Sequence, residues 1–377
     1  MKRRVLMAAL LGGLISTAAP AATGYSVVDF GANTGASDVN NLGQVVGVLG
    51  WGQSQTTPFE WSATGGMQTL AAQPGEAPVA LNDHGQIVFV RTFQPADEPS
   101  QNLFQTTVRN ADGSRVQLPD PPSFYNAGFI GSSINNAGQV SGNAIRQFSN
   151  DDSSVFGGFV WTSGHGLTAL PPQSPELGEQ TEARKINDAG QVLWMRERHD
   201  DNTPFLDYQI PVLRTAGGQD LQLPFPQPSQ GGFPDARGLN NEGVVAGWLY
   251  GTGSFLWSQA TGLRYIGGDN TRAVGINDQG TVLGTVDGQA ALWTEAGGWQ
   301  PLAKMLSASD AQLLASVGYW DLQDINNLGQ VLIDTNLNGT HHALLLTPVP
   351  EPATLTLMLG GLGFVGWRVR RQPHATA

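Results

Sequence analysis

Residues able to ligate a metal or move a proton are few in this chain, and they are not spaced for either task. Two acidic clusters, Asn150-Asp151-Asp152 and Asp200-Asp201-Asn202, carry the oxygen-rich residue types of a calcium loop. Calcium needs about six to eight oxygens held together. Neither cluster has the spaced pattern of an EF-hand, so both are read as solvated loop. The six histidines show no ligand spacing, and His341-His342 falls within an apolar, strand-like stretch. The chain contains no GxSxG elbow, P-loop or HExxH motif. Its GxGxxG, at Gly361, Gly363 and Gly366, lies in an apolar tail with no strand before it, where small residues aid helix packing. Without cysteine there is neither disulfide nor thiolate chemistry. No catalytic, cofactor-binding or metal-binding residue is therefore assigned. The route left open to an enzyme is a set of carboxylates assembled across a central channel from distant parts of the chain.

Seven copies of one phrase must do any such positioning: an apolar residue, Asn, Asn or Asp, any residue, Gly, any residue, then Val or Ile. They begin at Asn40, Asn82, Asn135, Asn187, Asn240, Asn277 and Asn326, spaced 42, 53, 52, 53, 37 and 49 residues apart. The leading Asn suits a type I turn, because its side chain bonds the backbone two residues on. The Gly supplies the left-handed conformation of a G1 bulge. Each phrase is thus a tight hairpin between two strands. A third strand follows, as in Phe59-Glu60-Trp61, Phe159-Val160-Trp161, Phe255-Leu256-Trp257 and Ala291-Leu292-Trp293. A Gly turn then leads to a fourth, such as Met67-Gln68-Thr69-Leu70. A period near 48 residues with four strands is one propeller blade.

The seventh repeat lacks its fourth strand, and a spare one, Tyr25-Ser26-Val27-Val28-Asp29-Phe30-Gly31, precedes the first turn. The expected fold is all-β: a seven-bladed β-propeller of four-stranded blades closed by the N-terminal strand, followed by a C-terminal hydrophobic helix. An open β-solenoid or another blade count is the alternative. Closure removes sheet edges that would otherwise invite aggregation. One helix is expected inside the body, over 306–315, with Ser309 and Gln312 as a capping box.

With the first strand of each blade innermost, the Asn-Asn/Asp-x-Gly turns share one face. The long, varied loops (94–102, 119–126, 148–154, 199–205 and 224–235) share the other. They hold prolines and aromatics, so the candidate ligand face is placed at Phe124, Tyr125, Phe225 and Phe233, with Tyr250 nearby. The competing reading is that these rings only cover blade ends.

Both chain ends are addresses. Lys2, Arg3 and Arg4, an apolar run from Val5 to Ile15, and Ala19-Pro20-Ala21 form a secretory signal, with Ala19 and Ala21 as the A-x-A cleavage motif and the cut expected after Ala21. The other end reads Val349-Pro350-Glu351-Pro352, an apolar run over 353–367, then Arg368, Arg370 and Arg371. The run is shorter than the roughly 20 residues of an ordinary spanning helix, yet can cross a thin bilayer with its arginines in the cytoplasm. This tail resembles the PEP-CTERM sorting signal of Gram-negative bacteria. The resemblance implies recognition and processing by an exosortase. The repeats and their Trp-bearing strands over 25–347 resemble the extracellular HAF-repeat family, which implies an exported repeat protein. The chain divides into a signal peptide (1–21), a seven-repeat body (22–348) and a sorting tail (349–377).

All 31 acidic residues lie between the basic start and the basic end, which together take Lys2, Arg3, Arg4, Arg368, Arg370 and Arg371. The body is thus more acidic than the whole-chain charge of −12. Such a surface repels nucleic acid and anionic membranes. The expected partners are a signal peptidase, an exosortase-type enzyme, the inner membrane in transit, and an extracellular polysaccharide or surface protein. The expected function is a sorted surface or matrix protein whose propeller binds or supports. The alternative is a secreted propeller hydrolase or lyase acting on extracellular polysaccharide.

Overall fold

The repeat folds as an antiparallel meander of four strands. This is seen in a computed structural model that describes residues 24–97, 101–147, 154–171, 180–198, 208–225, 233–314 and 317–349. The N-terminal strand β1 (Gly24–Ala32) comes first. The first meander is β2 (Thr34–Val39), β3 (Val45–Leu49), β4 (Thr57–Ser62) and β5 (Gly66–Thr69). The second is β6 (Glu76–Leu81), β7 (Ile87–Phe93), β8 (Leu103–Arg109) and β9 (Arg115–Gln117). The third is β10 (Gly128–Ile134), β11 (Val140–Gln147), β12 (Ser154–Thr162) and β13 (Gly166–Ala169). The fourth is β14 (Gln180–Ile186), β15 (Val192–Arg198), β16 (Tyr208–Arg214) and β17 (Asp220–Gln222). The fifth is β18 (Pro234–Leu239), β19 (Val245–Leu249), β20 (Gly253–Ser258) and β21 (Gly262–Tyr265). The sixth is β22 (Thr271–Ile276), β23 (Val282–Val286), β24 (Gln289–Thr294) and β25 (Gly298–Pro301). The last three strands are β26 (Val317–Ile325), β27 (Val331–Leu337) and β28 (Thr340–Val349).

β1 supplies the strand missing from the last unit. It pairs antiparallel with β28, with Val27 opposite Leu346, Val28 opposite Leu345 and Asp29 opposite Leu344, so the sheet runs β1-β28-β27-β26. The second and third meanders are joined into one eight-stranded sheet by a single parallel step, Gly128 beside Phe104. Among the described residues no sheet closes on itself.

The core lies between units rather than inside them, because each sheet buries both faces against its neighbours. Phe255 of the fifth unit packs with Leu193, Met195 and Leu213 of the fourth. Burying one such side chain contributes about 1.5–3 kcal/mol. The first and last units share a core in the same way: Ala36, Val39, Val45 and Phe59 pack with Leu332, Ala343 and Leu345, and with Val28 and Phe30 of β1. Asp334 on β27 reinforces this junction by accepting a bond from the Ala36 amide at 3.0 Å.

Asp334 is only 3% exposed, and burial, with Asp321 nearby, pushes its carboxyl up from 3.8 to about 7. The folded chain therefore holds a proton that the unfolded chain gives up. Its contribution to stability falls as pH climbs from 3.8 to about 7 and is level above that. We expect Asp334→Asn, which keeps the acceptor for Ala36, to flatten this slope. It should raise stability by about 1–3 kcal/mol at pH 8 and change little near pH 4. Urea melts across that pH range check it; a variant less stable than the parent at pH 8 would contradict the burial argument.

Among the described residues one α-helix, α1 (Ala308–Leu314), lies between the sixth and last units as expected. Its cap differs from the expected Ser309. The Ser307 hydroxyl accepts the Asp310 amide at 3.1 Å and bonds the Asp310 carboxylate at 2.9 Å. Two serines two residues apart both match a box motif, and the one at the true helix start wins.

Candidate functional site

The seven Asn turns meet around one axis and bond to one another. Locally each behaves as its sequence dictates. The Asn40 Oδ1 accepts the amides of Leu42 and Gln44 at 3.1 and 2.9 Å, and Gly43 takes φ 75°. The Asn40 Nδ2 then reaches out of its own unit and donates to the Asn82 carbonyl at 3.1 Å. Asn82 donates to Asn135, Asn135 to Asn187, Asn187 to Asn240, Asn240 to Asn277 and Asn277 to Asn326. Asn326 returns to the Asn40 carbonyl at 2.8 Å. The circuit is closed, and all seven asparagines are buried. A buried amide costs little only when its polar atoms are bonded, and here every Nδ2 is bonded across the ring and every Oδ1 by its own turn.

A second circuit runs one residue on. The Asn41 amide donates to Asp83 Oδ1, Asp83 to Asn136, Asn136 to Asp188, Asp188 to Asn241, Asn241 to Asp278, Asp278 to Asn327, and Asn327 back to Asn41. Asn and Asp alternate around it, so every carboxylate sits between two carboxamides. Asp83 Oδ2 accepts from Asn41 and Asn136 at 3.1 and 3.0 Å. Asp188 Oδ2 accepts from Asn136 and Asn241, and Asp278 Oδ2 from Asn241 and Asn327. Carboxylates side by side would repel and leave acceptors facing acceptors. An odd ring cannot alternate throughout. The forced Asn–Asn neighbour is Asn327 with Asn41, where the last repeat meets the first.

Each inner strand has one irregularity just before its turn, as between Ala36 and Asp38 on β2 or Ala183 and Lys185 on β14. In four units a glycine faces it. A Cβ on Gly47, Gly142, Gly247 or Gly284 would collide with the inner strand's carbonyl. In four units the residue after the irregularity lines the axis. Asp38, Ser133, Lys185 and Asp324 border a cavity of ≈ 120 Å³ beneath the ring. Lys185 crosses to Asp324, Nζ to Oδ2 at 2.8 Å. Burial opposes the lysine's charge, but Asp324 and Asp38 outweigh it and hold its ammonium above the ordinary value. One lysine serves two carboxylates. Burial first, and then Asp324, push the Asp38 carboxyl up to about 7. Both carboxylates are already engaged by backbone, Asp38 by the Leu81 amide at 2.8 Å and Asp324 by that of Ile325 at 2.8 Å.

The candidate ligand-face aromatics separate. Tyr125 is buried, stacking edge-on to Phe124 and Phe159, and a Cβ at Gly157 would collide with its hydroxyl. Phe124 is half-buried beneath the Arg146 guanidinium, 4.1 Å from its ring centre. Phe225 packs edge-on to the fully buried Phe255 at 4.7 Å. Apolar packing at blade ends thus takes three of the four rings. Phe233 stays 39% exposed. Its carbonyl accepts the Tyr250 amide at 3.3 Å, and Tyr250 is 59% exposed beside Trp248. On the same face Trp51, 46% exposed, stacks on His341 at 4.8 Å.

The clusters at Asn150-Asp151-Asp152 and Asp200-Asp201-Asn202 lie outside the described residues, as do Ala19, Ala21, Pro350, Glu351, Pro352, Arg368, Arg370 and Arg371. Val349 is the last described residue and pairs with Gly24. Among the described residues no helix is long and apolar enough to cross a membrane. The apolar run 353–367 falls beyond them.

Residues 348–372 match the model of the PEP-CTERM protein-sorting motif. The chain carries an exosortase address. No curated protein matches the chain. Among solved structures it is similar to the β-propeller domain of the Trilobed protease from Pyrococcus furiosus. That match has 10% identity and TM-score 0.54, over 84% of this chain and 96% of that one. It is also similar to the Pyrococcus horikoshii acylaminoacyl peptidase, at 12% identity and TM-score 0.52, over 87% of this chain. It spans about half of that peptidase, 54% of its length. At these identities the likeness is one of fold. The fold is of β-propeller type.

Proposed function

We propose that the chain is an exported surface or extracellular-matrix protein: a seven-bladed propeller that serves as a rigid binding or structural module, with extracellular polysaccharide as the ligand class. The closed double ring of turns carries this reading. Seven turns linked head to tail, with β1 paired to β28, support seven blades and closure by the N-terminal strand. The resemblance of the repeats to the HAF family fits the same picture. A scaffold locked on one face leaves the other free to vary, and that face holds Phe233, Tyr250 and Trp51. Exposed rings suit stacking on sugars.

The secreted hydrolase or lyase is the weaker reading. Asp38 and Asp324 are facing carboxylates, and the His342 Nδ1 lies 2.9 Å from Asp29. The cavity beside the first pair, ≈ 120 Å³, holds a few waters rather than a sugar ring. Its carboxylates are tied to Lys185 and to backbone amides.

Two experiments test the proposal. On a glycan array, Phe233→Ala with Tyr250→Ala should weaken binding of at least one captured polysaccharide by about 1–3 kcal/mol. Binding equal to the parent's would move the site off this face, and an array with no hit would leave a structural role. For sorting, replacing Pro350-Glu351-Pro352 by alanines should strand the protein in the inner membrane, through which it passes in transit. Unchanged delivery to the surface would sink the exosortase route.

A further inference from the structure

The turn face departs from its own repeat at two adjacent turns, where Val244 and Thr281 replace a Gln, and the first of these leaves space open. Five turns carry Gln after the Gly: Gln44, Gln86, Gln139, Gln191 and Gln330. Each accepts the Nδ2 of its own turn Asn, as Gln44 does at 2.7 Å and Gln330 at 2.8 Å. Four also donate to the third strand of the unit or the residue just after it, as Gln139 does to Thr162 and Gln86 to Asn110. The side chain fills the space before the next unit. A Cβ on Gly43 would meet Gln330 at 2.8 Å, and one on Gly243 would meet Gln191 at 2.8 Å.

The fifth turn has Val244 in this place. Nothing lies within 4 Å of a Cβ built on Gly280, the glycine that would face it. The space is a cleft of ≈ 940 Å³ between the fifth and sixth units. That volume is in the ordinary small-molecule range, roughly 300–1,000 Å³. Its floor is apolar, with Val244, Leu256 and Ile276 beside the buried Trp293, whose ring the Arg264 guanidinium covers at 5.4 Å. Its rim is polar. Glu242 and Gln279 are exposed turn residues. Gln191 spends its Oε1 on Asn187 at 2.8 Å, and among the described residues its Nε2 has no partner like those of its four counterparts. The cleft's arginine, Arg264, is already held by both oxygens of Glu295 at 2.8 and 2.6 Å.

We infer that this cleft is a binding site for a neutral oligosaccharide. The apolar floor takes the C–H face of a sugar ring, while Glu242 and Gln191 are an acceptor and a donor for its hydroxyls. Glu242, Asp278 and Glu295 on the rim turn anions away, and the paired Arg264 offers them no compensation. The site lies on the turn face and is independent of the loop-face reading.

The test uses the repeat against itself. Val244→Gln installs the side chain that five other turns tolerate, within reach of Asn240 and Ser258, and should fold at least as stably as the parent. The probes are maltotriose, cellotriose and xylotriose, titrated into the secreted body by calorimetry. The parent should bind at least one, Val244→Gln should weaken that binding tenfold or more, and Phe233→Ala with Tyr250→Ala should leave it unchanged. If Val244→Gln misfolds, Glu242→Ala, at an exposed rim position, should weaken binding several-fold. A parent that binds none of the three, a plugged variant that binds as well as the parent, or spermidine binding in preference to the sugars would each overturn the inference.

Discussion

Replacing Asn326 by alanine should lower stability by about 3–5 kcal/mol, several times the cost of an ordinary surface substitution. The side chain donates to the Asn40 carbonyl and the Gln330 Oε1, and accepts the amides of Leu328 and Gln330. Alanine removes all four bonds and leaves their partners buried. Four neutral bonds at about 1 kcal/mol each, plus desolvated groups without partners, set the range. Asn326→Asp is the sharper comparison. It retains the two accepted bonds but loses both donated ones and adds a buried charge, so it should be no better than alanine at neutral pH. Urea melts of both variants check this, and a loss below 1 kcal/mol for either would mean that the ring does not hold the turns together.

Deleting residues 24–32 should have a larger effect still. β1 covers Leu344 and Leu346, both fully buried, and contributes Tyr25, Val27, Val28 and Phe30 to two cores. Without it β28 becomes an open apolar edge, prone to pair with other chains. We expect the truncated body to lose on the order of 5 kcal/mol or more and to aggregate, since four partly or fully buried large side chains leave together. A synthetic peptide of residues 24–32 added in trans should restore part of the cooperative melt. A truncated protein that melts like the parent would show that the strand is dispensable.

The contrast between those two effects marks what could be read from the chain. The spare strand was legible because Tyr25 to Gly31 alternates like a fourth strand, and the last repeat lacks one. The hairpin role of each Asn was legible because it is local, set by one side chain and its own backbone. The Nδ2 bond to the next unit was not, since it depends on how units 37–53 residues apart are placed around an axis. A trace of it was present. The second position alternates Asn, Asp, Asn, Asp, Asn, Asp, Asn along the chain, which a purely local turn has no reason to do.

The same limit explains the aromatics. Composition marks Phe124, Tyr125, Phe225 and Phe233 alike as loop residues. Gly157 makes room for Tyr125, and Phe255 awaits Phe225, but those partners lie some thirty residues away. Lys185, Asp38 and Asp324 are invisible as a group for the same reason, being separated by most of the chain and united by the register irregularity just before each inner strand's turn.

The most direct test of the ring is a covalent one. Ser26 and Thr347 face each other in the β1–β28 register, and the native chain has no cysteine to interfere. Directly opposed residues of antiparallel strands stand about 4.5–5.5 Å apart at Cα, within disulfide reach. Ser26→Cys with Thr347→Cys in the secreted body, oxidised at low concentration, should give a monomer with a single bond linking residues 26 and 347, seen by mass spectrometry of the digest. Chains that stay reduced, or that link only to other chains as dimers and ladders, would contradict closure of the ring by its own first strand.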